Sequence, residues 1–419
     1  MSDSSTPGVN QVTVIGGGQA AATACATLRA SGYAGELVLI SDESTPPYQR
    51  PPLSKAYLKG ELPGERLLIK PASWYEGQAI DLRCSTMATA IDADQRRVET
   101  SGDAVDFERL IIATGSRPRQ LPMPGSDLQG VFELRSIEHV DALREALGSA
   151  RRLVVVGAGY IGLEAAASAR SLGIDVTVLE YAPRVLARVT SPDISAFFEA
   201  LHERQGVRIV TDARITRLNA KQGQISEVEL ENGESIAADC VLLGVGIEPN
   251  VELARAAGIV CDNGIAVNRD AQTSHAAIYS AGDCTSRELV HYQRQGRLES
   301  VHNAIEQGRQ AAAHILGRPR PAEEAPWFWS DQYHVKLQIA GLSQGHDRVV
   351  TRGDPSSEQF ALFYLDGDRL LATDAINASP EFVFARKLIA AGARVDAVAL
   401  EDVDKPMKTI AAEALAAGA

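Results

Sequence analysis

An α/β protein with two parallel-sheet units and a strand-rich C-terminal region is what the sequence predicts, and three observations predict it. VTVIGGGQAA at 12–21 is an apolar strand running into a glycine-rich turn and an alanine-rich helix. LVVVGAGYIG at 153–162 repeats that order. Beyond GRPRPAEEAP at 317–326, a proline-rich, charged segment that reads as a linker, PWFWSDQYHVKLQIAGL opens a strand-rich region of different character.

The first unit begins with a strand over 11–15, a tight turn, a helix over about 19–31 and the strand ELVLI at 36–40. Gly32 follows the helix where a C-cap belongs. RVETSGDAVDFERLIIATGS alternates like strands around a turn and ends in a buried strand, LIIATG. Ser136 is placed to cap a helix over 137–147, where Ile137, Val140, Leu143 and Leu147 share a face. The second unit runs as strand 153–156, turn, helix to about Leu172, Gly173 and strand DVTVLE at 175–180. It duplicates the first βαβ unit, with Gly16 and Gly157 in matching roles. Ser191-Pro192 reads as the cap and first position of a helix to Gln205. VRIVT, ITRLNA, ISEVELEN and SIAADCVLLGVG then read as strands, and GVGIEP returns the chain toward IYSAGDC, an apolar strand ending in Gly-Asp. The last region closes with a helix around 380–391, and AAEALAAGA reads as a frayed helix or tail.

At 419 residues the chain has room for two or three domains. A hydrophobic content of 45% and a mean hydropathy of −0.09 are those of an ordinary globular protein. No apolar run nears the ~20 residues of a membrane helix. MSDSSTPGVN has neither a basic n-region nor an apolar h-region, so a cytoplasmic protein without a signal peptide is expected. A net charge of −13 disfavours general binding to nucleic acid. The five cysteines, at 25, 84, 240, 261 and 284, form no CxxC, no CxxxxC and no metal-binding cluster. Reduced, buried thiols are expected, and any redox chemistry falls to a bound cofactor.

The two turns specify that cofactor chemistry. A pyrophosphate is negatively charged and must approach the backbone closely. Gly16 and Gly18 allow the tight turn and the approach, and Ala21 takes the third position, where only a small residue lets the helix pack on the strand. The helix N-terminus offers N–H groups to the phosphates. Asp42, after the second strand, is placed to accept hydrogen bonds from an adenosine ribose. The second turn, Gly157-x-Gly159-x-x-Gly162, fits the full pattern, and its acid is Glu180. An acid there repels a 2′-phosphate and favours NADH over NADPH; Arg184, close by in sequence, keeps the alternative open. Nicotinamide passes a hydride, whereas iron–sulfur proteins and haems take single electrons. One FAD site and one NADH site therefore make a converter, and two NAD sites have no such logic.

At this point the chain resembles the FAD-dependent, NADH-dependent ferredoxin reductases of bacterial oxygenase systems, over residues 10–412. The motifs that carry the resemblance are GGGQAA, RPPLSKAYL at 50–58, LIIATGSRPR at 110–119, VVVGAGYIGLEAA at 154–166, IYSAGDC at 278–284 and SVHNAIEQGRQAA at 300–312. It implies a glutathione-reductase-like fold: two Rossmann-type domains, the FAD domain (1–117 and 247–326) interrupted by the NAD domain (118–246), and a C-terminal α+β domain (327–419). By the family pattern Ala20 and Asp42 hold the adenosine half of FAD, Ala88 and Arg135 line its site, Asp283 bonds the ribityl and pyrophosphate region, and Val301 approaches the ring. Gly159, Ile161, Glu180 and Gly246 surround NADH. Lys55 sits near the flavin ring and Glu164 near the nicotinamide, as the expected catalytic pair, and Trp329 corresponds to an aromatic residue beside the flavin. His302 and His334 are expected to be structural, since hydride transfer from nicotinamide to flavin needs no protein base, and Cys284 reads as a packed thiol. Gln19 departs from the apolar residue of many relatives, without consequence for contacts made by backbone amides.

The activity so implied is electron transfer from NADH through FAD to a [2Fe–2S] ferredoxin that serves a cytochrome P450 or a ring-hydroxylating, Rieske-type dioxygenase. Because ferredoxins are usually acidic, as this chain is, a local Lys/Arg patch must offset repulsion. Two rivals share the scaffold: a rubredoxin reductase or NADH oxidase, and a redox-gated binding protein. An oxidase of this type usually needs a cysteine by the flavin, and Cys25, on the first helix, does not follow that placement.

Overall fold

In a computed structural model, which describes residues 8–417, the apolar run Gln11–Ile15 is the central strand of a five-stranded parallel sheet. The first seven of the ten residues read above against a signal peptide, and the last two of the C-terminal tail, lie outside the described residues. The sheet order is Ile278–Ser280, Arg109–Ile112, Gln11–Ile15, Glu36–Ile40 and Ile80–Arg83. Successive side chains alternate between its faces. Val12, Val14, Leu37, Leu39 and Ile111 pack against the helices Gln19–Ala30 and Val301–Ile315. Ile15, Val38, Ile40, Leu110 and Ile112 pack on the other side, against Ile91, Val98 and Val105 of a small antiparallel sheet. The first helix ends where its glycine stands: Ser31 caps it, and Gly32 follows at φ +85°.

A second parallel sheet has the corresponding order, Arg208–Val210, Asp175–Leu179, Arg152–Val156, Cys240–Leu243 and Val131–Phe132. The duplication extends to register: Gln11 pairs with Glu36, and Arg152 with Asp175, at matching positions of the two units. Both serine caps form as expected. Ser136 accepts from the His139 amide and Ser191 from the Ile194 amide, opening the helices Ile137–Leu147 and Pro192–Arg204.

Two readings need correction, and one gains detail. SIAADCVLLGVG is two strands, not one: Ser235–Ala237 joins an antiparallel sheet and Cys240–Leu243 the parallel one. Between them, the Asp239 carboxylate accepts from the Arg151 and Arg152 amides, which fixes the change of sheet. PWFWSDQYHVKLQIAGL is a hairpin, Trp327–Gln332 with Val335–Gly341, turning through Tyr333 at φ +55°. The helix Ser379–Ala390 does not close the chain; Ala397–Glu401 and Met407–Ala417 follow, and the latter buries Met407, Ile410 and Ala411.

The chain falls into two compact units. One takes the chain up to Gln49, Glu65–Arg117 and Glu248–Pro326; the other takes Arg50–Gly64, Pro118–Ile247 and everything from Trp327. The C-terminal antiparallel sheet and the segment carrying Lys55 thus cluster with the second parallel sheet.

Candidate functional site: two dinucleotide turns and a buried ion pair

The first turn is built by steric necessity. Gly16 has φ +127°, and a Cβ there would lie 2.1 Å from the Ala113 carbonyl oxygen. A Cβ on Gly17 would lie 2.2 Å from Ser41 Oγ, so the turn rests on the residue preceding Asp42, which is itself exposed. Gly18 starts the helix with no side-chain cap, and a Cβ there meets no protein atom within 4 Å. Ala20 and Ala21 are buried on the sheet side. The glycines of two later motifs close on the same helix: a Cβ on Gly282 would sit 3.2 Å from Ala20 Cβ, and one on Gly308 would sit 2.8 Å from the Ala20 carbonyl oxygen. Asp283 therefore lies beside the first helix, accepting from Ser116 Oγ at 3.1 Å. Val301 is the first residue of its helix, which Ser300 caps through the Asn303 amide. Ala88 stands apart from this group, in the layer on the other face of the sheet, and Arg135 is in the second unit, where its carbonyl accepts from Arg50 at 2.7 Å.

Gln307 escaped the sequence reading. Its Oε1 accepts from the Gly282 amide at 2.9 Å, from Thr285 Oγ1 at 2.8 Å and from Asn303 Nδ2 at 3.1 Å, holding the Gly-Asp loop. Its own Nε2 and the Oδ1 of Asn303 have no protein partner, although both side chains are buried. Two orphaned polar atoms beside an uncapped helix N-terminus suit a ligand rich in hydroxyl, phosphate and ring polar groups, as FAD is.

The second turn follows the same logic. Gly157, at φ +101°, would place a Cβ 2.4 Å from the Gly244 carbonyl oxygen, and Gly162 would place one 2.1 Å from the Gly157 carbonyl oxygen. Gly159 again heads a helix, Tyr160–Ser171, uncapped and with nothing within 4 Å of its Cβ position. Glu180 closes the turn, accepting from the Ala158 amide at 2.6 Å and the Ala182 amide at 2.8 Å. Ile161 is 43% exposed on the first helical turn, and Gly246, at φ +102°, faces the Arg188 guanidinium. Arg184 is engaged inside its own loop, donating to Ser195 Oγ and to the Ala187 carbonyl at 2.9 Å. An open helix N-terminus with the Glu180 carboxylate beside it fits NADH, and the exposed Arg188 stands at Gly246 instead.

The same helix carries Glu164, only 2% exposed. A lone buried carboxylate is costly. This one receives three donors: Lys55 Nζ at 2.6 Å, Ser54 Oγ at 2.6 Å and Ser330 Oγ at 2.7 Å. Ser168, one turn further on, donates to the Ser54 carbonyl at 2.7 Å and so fixes the PPLSK segment against the helix. Lys55 keeps 18% of its side chain accessible, so the pair has a dry end and an open end. Trp329 is half-buried, 5.5 Å from Trp327 between ring centroids, and adjacent Ser330 points to the opposite face of the strand. Ser54 and Ser330 also escaped the sequence reading. Ser54 adjoins Lys55, and Ser330 carries no local signal at all. His334 is exposed and paired with Glu358, and His302 is buried.

All five cysteines are free. Burial pushes the Cys25 thiol up to about 12 and raises Cys284 as well, so neither is a ready nucleophile near neutral pH.

Two Rossmann-type units, each with an open phosphate-binding turn, define a two-dinucleotide flavoprotein oxidoreductase. The chain belongs to the pyridine nucleotide-disulphide oxidoreductase family, whose model matches residues 10–308, and residues 327–411 match the reductase C-terminal model. It is 42% identical to the putidaredoxin reductase of Pseudomonas putida, over 97% of this chain and 98% of that one. It is 39% identical to the ferredoxin–NAD(+) reductase component of the anthranilate 1,2-dioxygenase system of Burkholderia cepacia, over 94% and 98%. Among solved structures, the covalent putidaredoxin reductase–putidaredoxin complex superposes with a TM-score of 0.94 at 42% identity, covering 97% of this chain and 99% of that chain. The protein is an FAD-dependent oxidoreductase that uses a nicotinamide cofactor.

Proposed function

We propose that the protein takes electrons from NADH and passes them, through FAD, to a [2Fe–2S] ferredoxin serving a cytochrome P450 or a ring-hydroxylating dioxygenase, in the cytoplasm. The observation that carries this reading is the pair of open glycine turns in a chain whose five thiols are all free. With no dithiol to receive electrons, they must leave for an external acceptor. No helix among the described residues is long and apolar enough to cross a membrane.

The chain's own residues divide the work. The helix begun at Gly18 holds the FAD pyrophosphate, with Ala20, Ala21, Asp42, Ala88 and Arg135 around the cofactor, Asp283 on its ribityl chain and Val301 at its ring. The helix begun at Gly159 holds the NADH pyrophosphate, with Gly157, Ile161, Gly162 and Gly246 around it and Glu180 on the ribose. FAD, when bound, accepts an electron pair as hydride and releases electrons singly. Lys55 presents its ammonium to the ring, Glu164 fixes that ammonium, and Trp329 excludes water at the same edge.

The test is a steady-state comparison of a [2Fe–2S] ferredoxin, a rubredoxin and dioxygen as acceptors. The reading expects kcat/KM for ferredoxin at least about tenfold above the other two. A preference for rubredoxin or dioxygen would sink it.

A further inference from the structure

The buried carboxylate of Glu164 is the end of a longer polar chain. Ser330 Oγ donates to Glu164 Oε1 at 2.7 Å and accepts from Gln332 Nε2 at 3.2 Å. Gln332 Oε1 meets His202 Nε2 at 2.8 Å, and His202 Nδ1 meets Tyr333 Oη at 3.3 Å. Ser330, Gln332 and His202 are each at most 1% exposed, so water does not compete for these bonds. The residues come from a helix, Pro192–Arg204, and a hairpin strand, Trp327–Gln332, of the second unit.

Donor and acceptor directions along this chain follow from its end. An ionised carboxylate only accepts, so the single Ser330 proton goes to Glu164. Ser330 Oγ must then accept from Gln332, which turns the amide nitrogen toward it. The amide oxygen faces His202, so Nε2 of the imidazole carries the proton. Burial favours neutral His202, and a neutral ring protonated at Nε2 has its acceptor at Nδ1, where Tyr333 stands. Every bond donates toward Glu164, and aligned hydrogen bonds polarise one another in a dry interior.

We propose that Ser330, Gln332 and His202 are positioning residues, a one-way hydrogen-bond chain that holds Glu164 as an oriented carboxylate and thereby sets where Lys55 presents its ammonium. The proposal rests on the reading of Lys55 and Glu164 as the pair that serves the flavin. It deepens that reading by assigning roles to three residues far from either turn.

Two measurements on the FAD-loaded protein test it. The first is ¹⁵N NMR of histidine-labelled wild type near about pH 7, with His202 assigned by its loss in His202→Gln. The expected result is a neutral ring protonated on Nε2; a proton on Nδ1, or an imidazolium, overturns the proposal. The second is the rate of flavin reduction at saturating NADH. Ser330→Ala should slow it about tenfold, the worth of one hydrogen bond to a charged group, with FAD content and NADH Kd unchanged. Ser330→Thr should restore it. Gln332→Leu should slow it less, and should add nothing in the Ser330→Ala background. Additive effects, or a change in Kd alone, overturn the proposal. If Lys55→Met is slow while Ser330→Ala is normal, only the chain fails. If Lys55→Met also reduces at the wild-type rate, the reading beneath it fails.

Discussion

Replacing Gly159 by Ala separates the protein's needs from the ligand's. Gly159 has φ −77° and ψ −179°, extended backbone that alanine adopts freely, and its Cβ position is empty to 4 Å. In the protein alone, two small terms oppose each other. Restricting the unfolded chain stabilises by about 0.4–1 kcal/mol, and alanine is a poorer cap than glycine by a similar amount. Stability should therefore change by no more than about 0.5 kcal/mol. The ligand is another matter. On the proposed assignment, the new methyl occupies the space through which the pyrophosphate reaches the helix amides. Forcing a methyl into a filled contact costs about 1–3 kcal/mol, roughly ten- to a hundredfold in affinity. The assay is the NADH dependence of anaerobic flavin reduction, beside a thermal melt and the FAD-to-protein absorbance ratio. The expected outcome is a normal melt, full FAD content and an NADH Kd raised at least about tenfold. An NADH affinity within about threefold of wild type, in a folded protein, would refute the reasoning. Loss of FAD with NADH binding intact would show that the two turns had been exchanged.

Other expectations follow from the same geometry. Gly18→Ala, also an empty Cβ position, should strip FAD and leave the apoprotein's fold intact, read by absorbance and circular dichroism. Glu180→Ala removes the acceptor of the Ala158 and Ala182 amides and, on the proposed assignment, the charge opposed to a 2′-phosphate, so the NADH-to-NADPH ratio of kcat/KM should fall at least about tenfold; an unchanged ratio would dismiss Glu180 as the discriminator. Alkylation with iodoacetamide should leave NADH–ferredoxin turnover intact, because the Cys25 and Cys284 thiols are buried and held protonated; loss of turnover that Cys25→Ser prevents would place a thiol in the electron path. Burial pushes the Asp374 carboxyl up to about 7, against the hydrogen bond from Tyr364. A folded-state value above the unfolded ~3.9 means that its stabilising contribution is full below that pH and is lost as pH rises toward the folded value. Relative to Asp374→Asn, the wild type should lose on the order of 1 kcal/mol per pH unit over that window in urea unfolding, and a constant difference would contradict it.

What was legible in the sequence was local. Gly16, Gly157 and Gly162 announce their turns because backbone atoms lie where a Cβ would go, and Gly32 and Gly173 mark where both turn helices end. Lys55 and Glu164 were legible as a pair through the family resemblance. Their shared donors were not, since Ser330 is 166 residues from Glu164 and no periodicity links a β-hairpin to a distant helix. Gln307 was hidden for a different reason: it lies in an apparently ordinary amphipathic helix, and its partner is a backbone amide 25 residues away. The split of SIAADCVLLGVG depended on the tertiary bonds of Asp239 to Arg151 and Arg152, which apolar pattern does not encode.

The most direct test of electron conversion is an anaerobic NADH titration of the yellow protein, followed by a [2Fe–2S] ferredoxin and cytochrome c. Rapid bleaching of the flavin, with cytochrome c reduced only when ferredoxin is present, is the predicted result. Bleaching with cytochrome c reduction indifferent to ferredoxin would contradict it.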